Sequence, residues 1–462
     1  FADRLDLPWR RRDLRRTTLS GGGDGDGGGG GGGGDSLTPG HFRTMDEEAM
    51  AAAAAAAASL LTEDLIVEIL SRLPVRSVHR FKCVCKLWRD LIAQPVHRKK
   101  LPQSLAGFLY STYPGGYRHH LAGVSAATAV DSVDASLAFL RPMNYTMIRL
   151  LDTCNGLLLC SCYHNCNGLL PCSCYHNNNS REERLVVCNP ATQRWTELPP
   201  TPQPTTDCYA RLAFDPAVSP SHFHVLGFER TAKECHLTGV SVYSSRTRAW
   251  THSDTSLVDK IVPISGSVFV GGMLFLPGHL CKDSRRDSFM DEDNFVLVVL
   301  DIESSKPWKT VRAPRGLYTG GIGWSQGCLH YPTRSFTHVT VRDDDDEDTL
   351  LQASEVAVWC LKDHNSQEWV LKHSLRIDKL LDVAEMEYSV AGIHPDCDTL
   401  FFVTRGAHDG DSWDASSLAS WDMRRLEFTT LLDLEKDSMA TYLPYVPTFS
   451  ELILADGDVR TS

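Results

Sequence analysis

The stretch LVVCNPATQRWTELP, Leu185 to Pro199, has the pattern of two antiparallel β-strands joined by a turn. An apolar run is followed by a polar turn, an aromatic residue and an alternation of polar and apolar residues, which is typical of a half-buried hairpin. Four later stretches repeat this order, and their aromatic residues follow at steps of 55, 58, 61 and 59 residues. The repeated aromatic residues are Trp195, Trp250, Trp308, Trp369 and Phe428.

A hairpin that recurs at this spacing indicates a kelch-like β-propeller rather than a β-sandwich, because a repeat near fifty residues holds the four strands of one blade. Five hairpins are visible in the sequence, and we expect about six blades. The sixth is expected to be shared between Leu105–Leu150 and the C-terminal TYLPYVPTFSELIL, so that both ends of the chain close the ring. The inner strands are expected in CNGLLLC, GSVFVGGMLFLP, GIGWSQGCLHYP and VAGIHPDCDTLFFVT.

The composition is that of a globular chain with a low-complexity start. Its 462 residues are 42% hydrophobic and carry a net charge of −12, which argues against a general binder of nucleic acid or acidic membranes. Neither a membrane-spanning apolar run nor a signal-peptide pattern is found, so we expect the protein in the cytoplasm or the nucleus, with its 15 cysteines reduced. Residues 1–58, which include a glycine tract, are predicted to be a disordered tail.

Helices are predicted between this tail and the propeller. In SLLTEDLIVEILSRLP, Thr62 can cap a helix whose leucines and isoleucines recur at helical spacing, and Pro74 ends it. The next apolar pattern, in FKCVCKLWRDLI, places Cys83 and Cys85 about 200° apart around a helix, which disfavours a shared metal ion and puts Cys85 on the apolar face. Helices this short cannot close a core alone, so either the rest of the chain or another protein must cover them.

The segment LLTEDLIVEILSRLPVRSVHRFKCVCKLWRDLIAQP resembles an F-box, with Val84, Cys85, Lys86, Trp88 and Arg89 in the positions of its signature. The resemblance implies an F-box over residues 59–100 that binds a Skp-type adaptor and, through it, the cullin of a cullin-RING ubiquitin ligase. The residues that would form this contact or hold its shape are Leu61, Leu65, Ile66, Ile69, Leu70, Leu73, Pro74, Val75, Val78, Phe81, Val84 and Trp88.

The remainder, residues 105–462, resembles the F-box-associated domain of plant F-box proteins in CNGLLLC followed by VVCNPATQRW, and in the ending YLPYVP. This likeness implies that the rim loops of the propeller capture a protein substrate for ubiquitination. It does not name the substrate-binding residues. The expected fold class is therefore α+β multidomain, a small helical F-box before an all-β, kelch-like propeller.

Three polar clusters leave metal binding open as an alternative. CNGLLLCSCYHN at 154–165 recurs almost unchanged at 166–177, and a tandem duplication explains these residues better than a zinc site. Because Pro171 lacks the N–H of a central strand position, we expect the first copy to form the inner strand and the second to be looped out. The run DDDDED, Asp343–Asp348, is predicted to be a solvated loop, and His222 with His224 to be structural or surface histidines.

No enzyme motif is found, neither G-x-S-x-G nor a P-loop nor H-E-x-x-H. We therefore expect a non-catalytic protein with no metal and no cofactor. Two alternatives remain open at this point: an interaction scaffold without a ligase role, and a metal-dependent propeller oxidase whose ligands the sequence does not assemble.

Overall fold

The computed structural model describes residues 62–449 apart from 74–76, 79–80, 82–83, 99, 102–103, 114–116, 125–132, 144, 146, 164–182, 203–208, 217, 220, 232–234, 256, 258, 282–291, 303–307, 344–345, 364–366, 377–386, 406–415, 437 and 440. For residues 336–343 and 346–354 it describes the backbone alone. The predicted tail over 1–58 lies outside the described residues.

Three helices begin the described chain: α1 (Glu63–Ser71), α2 (Lys86–Ala93) and α3 (Pro95–Arg98). The first turn of α1 carries Glu63 and Asp64, whose negative charges suit the positive end of the helix dipole. Cys85 precedes α2 as an extended N-cap residue and is exposed, so its predicted place on an apolar helix face is wrong. Cys85 has an extended backbone, and the helix begins only at the next residue, Lys86.

The described strands form six antiparallel sheets, in agreement with the predicted propeller. Each sheet is one blade: β2-β1-β25, β3 to β6, β7 to β10, β11 and β12 with β13 to β15, β16 and β17 with β18 to β20, and β21 to β24. The strands are β1 (Gly107–Thr112), β2 (Arg118–Gly123), β3 (Met147–Cys154), β4 (Leu157–Tyr163), β5 (Glu183–Asn189), β6 (Arg194–Glu197), β7 (Ala210–Phe214), β8 (Phe223–Arg230), β9 (Leu237–Ser244), β10 (Ala249–Asp254), β11 (Ile261–Pro263), β12 (Val268–Val270), β13 (Met273–Leu280), β14 (Phe295–Asp301), β15 (Lys309–Arg312), β16 (Leu317–Tyr318), β17 (Gly323–Ser325), β18 (Cys328–Asp343), β19 (Asp346–Leu361), β20 (Trp369–Arg376), β21 (Glu387–Ile393), β22 (Thr399–Arg405), β23 (Ser416–Asp422), β24 (Glu427–Asp433) and β25 (Leu443–Tyr445).

The ring is closed by both ends of the chain, as the sequence predicts. The C-terminal β25 pairs with β1, with Gly107 opposite Tyr445 and Leu109 opposite Leu443. β25 also contacts β3 on one side and β21 on the other, so the innermost strands β3, β7, β12, β17, β21 and β25 follow one another around a central channel. Of the region Leu105–Leu150, β1 and β2 belong to this shared blade, whereas β3 begins the next one.

The four expected inner strands are corrected by the structure. Each stretch contains the turn between the innermost strand and the second strand, and CNGLLLC is mostly β4, which is a second strand. Asn155 and Gly156 both have positive φ at this turn, as do Gly271 with Gly272 and Gln326 with Gly327. Positive φ at both central residues is the type I′ geometry that matches the twist of adjacent strands. The sequence pattern therefore marked hairpins rather than single strands.

The hairpins marked by the periodic aromatic residues are confirmed, since four of these residues lie in the outermost strands β6, β10, β20 and β24, and Trp308 immediately precedes the outermost strand β15. The indole of Trp250 donates a hydrogen bond to the carbonyl of Pro199 at 2.9 Å, and that of Trp369 donates to Arg312 at 2.8 Å. In both cases the acceptor follows or ends the outer strand of the preceding blade. Neighbouring blades are thus joined at their outer edge, which gives the aromatic repeat its physical reason.

The duplicated segment and the acidic run are placed in part. The first copy supplies β4, which pairs with β3 and β5, so it forms a blade strand but not the innermost one expected. The second copy, 166–177, lies outside the described residues. Asp343 ends β18 and Asp346 to Asp348 begin β19, so the acidic run flanks the tip of a long hairpin rather than forming a loop on its own.

Candidate functional site

The first helix carries apolar side chains on two faces. Ile66, Val67 and Leu70 are buried and face α2, where Leu91 and Ile92 complete a small core. Leu65 and Ile69, one helical turn apart, are 51% and 45% exposed. Because one helix face fills the local core, the second apolar face of α1 remains available to an external partner.

Exposed apolar residues continue beyond α1. Val84 is 62% exposed, and Leu87 at the start of α2 is 47% exposed. Val96 in α3 is also exposed. Leu65, Ile69, Val84, Leu87 and Val96 are called the helical apolar set below. Leu87 and Val96 were not among the predicted contact residues, because the F-box signature includes Val84 and Trp88 but neither of these two positions.

The structure sorts the predicted contact residues into three groups. Leu65, Ile69 and Val84 are exposed, while Ile66, Leu70 and Val78 are buried. Partly buried residues pack against the helical core, and the rings of Phe81 and Trp88 lie 4.9 Å apart. These partly buried residues are Leu73, Phe81 and Trp88. Leu61, Pro74 and Val75 lie outside the described residues.

A cavity of about 290 Å³ occupies the central channel of the propeller. It is lined by residues of five blades, among them Asp152, Thr319, Arg334 and Tyr388. Asp152 is buried, and it accepts hydrogen bonds from the N–H of Leu212 at 2.8 Å and the N–H of Thr153 at 3.0 Å. Its carboxylate also faces the hydroxyl of Ser267 at 3.3 Å. Burial raises the pKa of Asp152 to about 6.

Known families match both parts of the chain. Residues 59–100 match the F-box domain, and residues 124–314 match the F-box associated beta propeller domain. The chain is an F-box protein. The first match covers the helical core, and the second covers the three blades from β3 to β15 of the F-box-associated propeller.

Relatives of this F-box protein occur in Arabidopsis thaliana. One F-box protein is 24% identical over 332 residues, which are 69% of this chain and 71% of the relative. A second is 24% identical over 377 residues, which are 76% of this chain and 87% of the relative. Among solved structures, an alpha-L-arabinofuranosidase of Fusarium graminearum aligns over 71% of this chain and 84% of its own, with a TM-score of 0.31 and 11% identity.

Five described cysteines of the F-box-associated domain are buried, whereas Cys397 is exposed; the buried ones are Cys154, Cys160, Cys162, Cys188 and Cys360. Cys160, Cys162 and Cys188 share one apolar cluster, and burial raises the pKa of the Cys160 thiol well above its ordinary value. Such thiols remain protonated and inert at neutral pH. The other candidate zinc ligands, His164, Cys172, Cys174 and His176, lie outside the described residues. Among the residues that are described, no cluster of three or more metal-binding side chains occurs.

The histidine pair is held within the fold. The Nε2 atoms of His222 and His224 lie 3.2 Å apart, and His222 Nδ1 is 2.9 Å from the hydroxyl of Ser245. Burial, followed by the neighbouring His222, lowers the pKa of His224 to about 4. Burial and the neighbouring ring both disfavour the charged form of His224, so this ring is neutral at neutral pH. The prediction that these histidines are structural stays a prediction.

Proposed function

We propose that this F-box protein is the substrate-recognition subunit of an SCF-type ubiquitin ligase, with a non-catalytic role. The F-box docks a Skp-type adaptor through the helical apolar set, and the adaptor links it to a cullin. The propeller captures the protein substrate. An F-box followed by an F-box-associated propeller supports such a role in general. The observation that carries the proposal is the second apolar face of α1, formed by Leu65 and Ile69.

The double variant Leu65→Ala with Ile69→Ala tests the docking surface. Apolar hot spots at an interface typically cost about 2 kcal/mol or more on truncation, which is a loss of roughly thirtyfold in affinity. Because both side chains are about half exposed, their loss leaves the helical core intact. Ile66→Ala is unsuitable for this purpose, since Ile66 is 1% exposed and its truncation opens a cavity in that core.

A matched control comes from the propeller. Val370 and Leu371 on β20 are 52% and 49% exposed, so their double alanine variant removes a similar apolar area far from the F-box in sequence. Adaptor binding is measured by titration of purified Skp-type adaptor into each full-length chain. We expect weakened binding for the α1 variant and wild-type binding for the β20 variant. Equal affinities of all three proteins would contradict docking through α1.

Co-purification of cullin separates ligase function from the two alternatives. A ligase subunit brings down adaptor and cullin together, whereas a scaffold without a ligase role or a propeller oxidase brings down no cullin.

No helix among the described residues is long and apolar enough to cross a membrane. We propose the cytoplasm or the nucleus as the place of action, which imaging of the tagged full-length chain can test.

A further inference from the structure

The channel cavity of the propeller contains polar groups that the fold does not use. The side-chain oxygens of Thr319 and Tyr388 are buried and have no hydrogen-bond partner within the described part of the chain. Both residues line the cavity and are at least nine-tenths buried, with exposures of 7% and 8%. Buried hydroxyls without a partner are costly, so such groups in a cavity indicate a bound molecule that supplies the missing hydrogen bonds.

The charges around the cavity indicate what kind of molecule this is. Asp152 and Arg334 are the charged side chains among the lining residues described. The Asp152 carboxylate already faces three donors from β3, from β7 and from the residue before β12, which makes it a structural link between blades. Arg334 contributes positive charge to the cavity, close enough to Tyr388 to oppose the rise in its pKa that burial causes.

We propose that the propeller channel is a binding site for a carboxylate-bearing ligand, whose oxygens accept hydrogen bonds from Thr319 and Tyr388 beside the Arg334 guanidinium. Hydroxyls next to a cation form their strongest hydrogen bonds with an anionic acceptor oxygen, and a planar carboxylate has two such oxygens. A cavity of about 290 Å³ admits a small organic acid or the C-terminal end of a peptide, and excludes a folded surface. Ile264, Ile322 and Val390 supply apolar lining for the rest of the ligand.

This site is independent of adaptor docking, because none of the described residues that line it belongs to the helical segment. Its failure and the failure of the proposed ligase role are therefore distinguishable. The channel belongs to the ring of innermost strands, and a ligand held there would contact several blades at once. Binding would consequently stabilise the propeller against thermal unfolding in proportion to ligand concentration.

Two substitutions remove the hydroxyls at nearly constant volume: Tyr388→Phe and Thr319→Val. Because neither hydroxyl has a hydrogen-bond partner among the described residues, both variants should unfold at the wild-type temperature or slightly above it. Tyr331→Phe is the matched control, since the Tyr331 hydroxyl is also buried without a described partner but does not line the cavity. The same chemical change is thus made inside and outside the proposed site.

The experiment is a calorimetric titration of the full-length chain with monocarboxylates from acetate to phenylpropionate, and with each matched primary amide. Tetrapeptides with free or amidated C termini form a second arm that separates peptide ends from free acids. We expect at least one carboxylate in either arm to bind at least about tenfold more tightly than its amide. Tyr388→Phe and Thr319→Val should each weaken that binding at least about tenfold, and Tyr331→Phe should leave it unchanged.

Three results would overturn the proposal. One is that no carboxylate in either arm binds at millimolar concentration. A second is that acids and amides bind equally well, which would remove the role of charge. The third is that Tyr388→Phe and Thr319→Val bind like the wild type, because the two hydroxyls would then be satisfied by ordered water rather than by the ligand.

Discussion

Asp398 joins two neighbouring blades, and Asp398→Asn should weaken the propeller measurably. Its side chain is 6% exposed and lies 2.6 Å from Nζ of Lys372 in β20. It also accepts hydrogen bonds from Gln326 Nε2 at 2.6 Å and from Nε of Arg424, which lies in the turn between β23 and β24. Gln326 and Lys372 belong to one blade, whereas Asp398 and Arg424 belong to the next.

The expected loss follows from the burial of each partner. Removing one partner of a buried ion pair costs about 3–5 kcal/mol, whereas an exposed pair contributes less than about 1 kcal/mol. Asp398 is buried, but the side chains of Lys372 and Arg424 are 26% and 62% exposed and can return to water. Asparagine also retains one acceptor oxygen. We therefore expect a loss of about 2–3 kcal/mol, between the two limits.

The pH dependence gives a second signature of the same interaction. Burial alone raises the pKa of Asp398, but the hydrogen bonds and charges of Lys372 and Arg424 outweigh it and hold this pKa below its ordinary value. A lowered pKa stabilises the folded state above the unfolded value of about 3.9 and loses that contribution as the pH falls below it. The difference in stability between wild type and Asp398→Asn should therefore shrink below about pH 4.

Urea unfolding followed by fluorescence and circular dichroism measures the loss, with Asp433→Asn as the control. Asp433 accepts a hydrogen bond from Ser417 Oγ at 2.7 Å in an exposed position, so its substitution should cost less than about 0.5 kcal/mol. For a domain of about 350 residues, 2–3 kcal/mol also lowers the thermal midpoint by about 3–4 °C. Equal stabilities of Asp398→Asn and Asp433→Asn at pH 7 would refute this reasoning. So would a difference between wild type and Asp398→Asn that does not shrink at all between about pH 5 and pH 3.

Two further predictions concern chain segments. Removal of residues 1–103 should leave a cooperatively folded β protein that no longer binds adaptor, because the helical core ends at Leu101 and the propeller core begins at Leu105. A fragment that is unfolded by circular dichroism would contradict this separation. Deletion of Cys166–Asn177 should leave the thermal midpoint within about 2 °C of wild type, because the first copy already supplies β4. A larger fall in the thermal midpoint would favour the zinc site instead, as would stoichiometric zinc that is bound by the intact chain and lost on deletion.

The blades could be predicted because each of them repeats the same local requirement. A tight turn needs residues that accept positive φ, and the outer strand needs an aromatic side chain that reaches the preceding blade, as Trp250 and Trp369 do. These requirements recur within each unit and therefore leave a period in the sequence. The assignment of innermost strands failed because CNGLLLC is more apolar than β3, although both strands of a central hairpin are buried.

The channel cavity does not correspond to any repeated pattern in the sequence. Asp152, Thr319 and Tyr388 each come from a different blade, and nothing in the sequence around them marks an inward-facing position. Their proximity depends on ring closure by β25, which brings together residues separated by most of the domain. A site assembled from single residues of successive repeats is set by tertiary geometry alone, so local pattern could not predict it.

The helical segment shows why exposure had to be read from the structure. Apolar residues lie around most of α1, and helical periodicity alone does not tell which of its two apolar faces packs against the rest of the chain. The structure assigns Ile66 and Leu70 to the small core with Leu91, and leaves Leu65 and Ile69 exposed. Covering those two residues within the described chain would require another apolar surface, and the helical core is already filled by its own members. An external partner is thus the simplest account of an apolar face that folding does not bury.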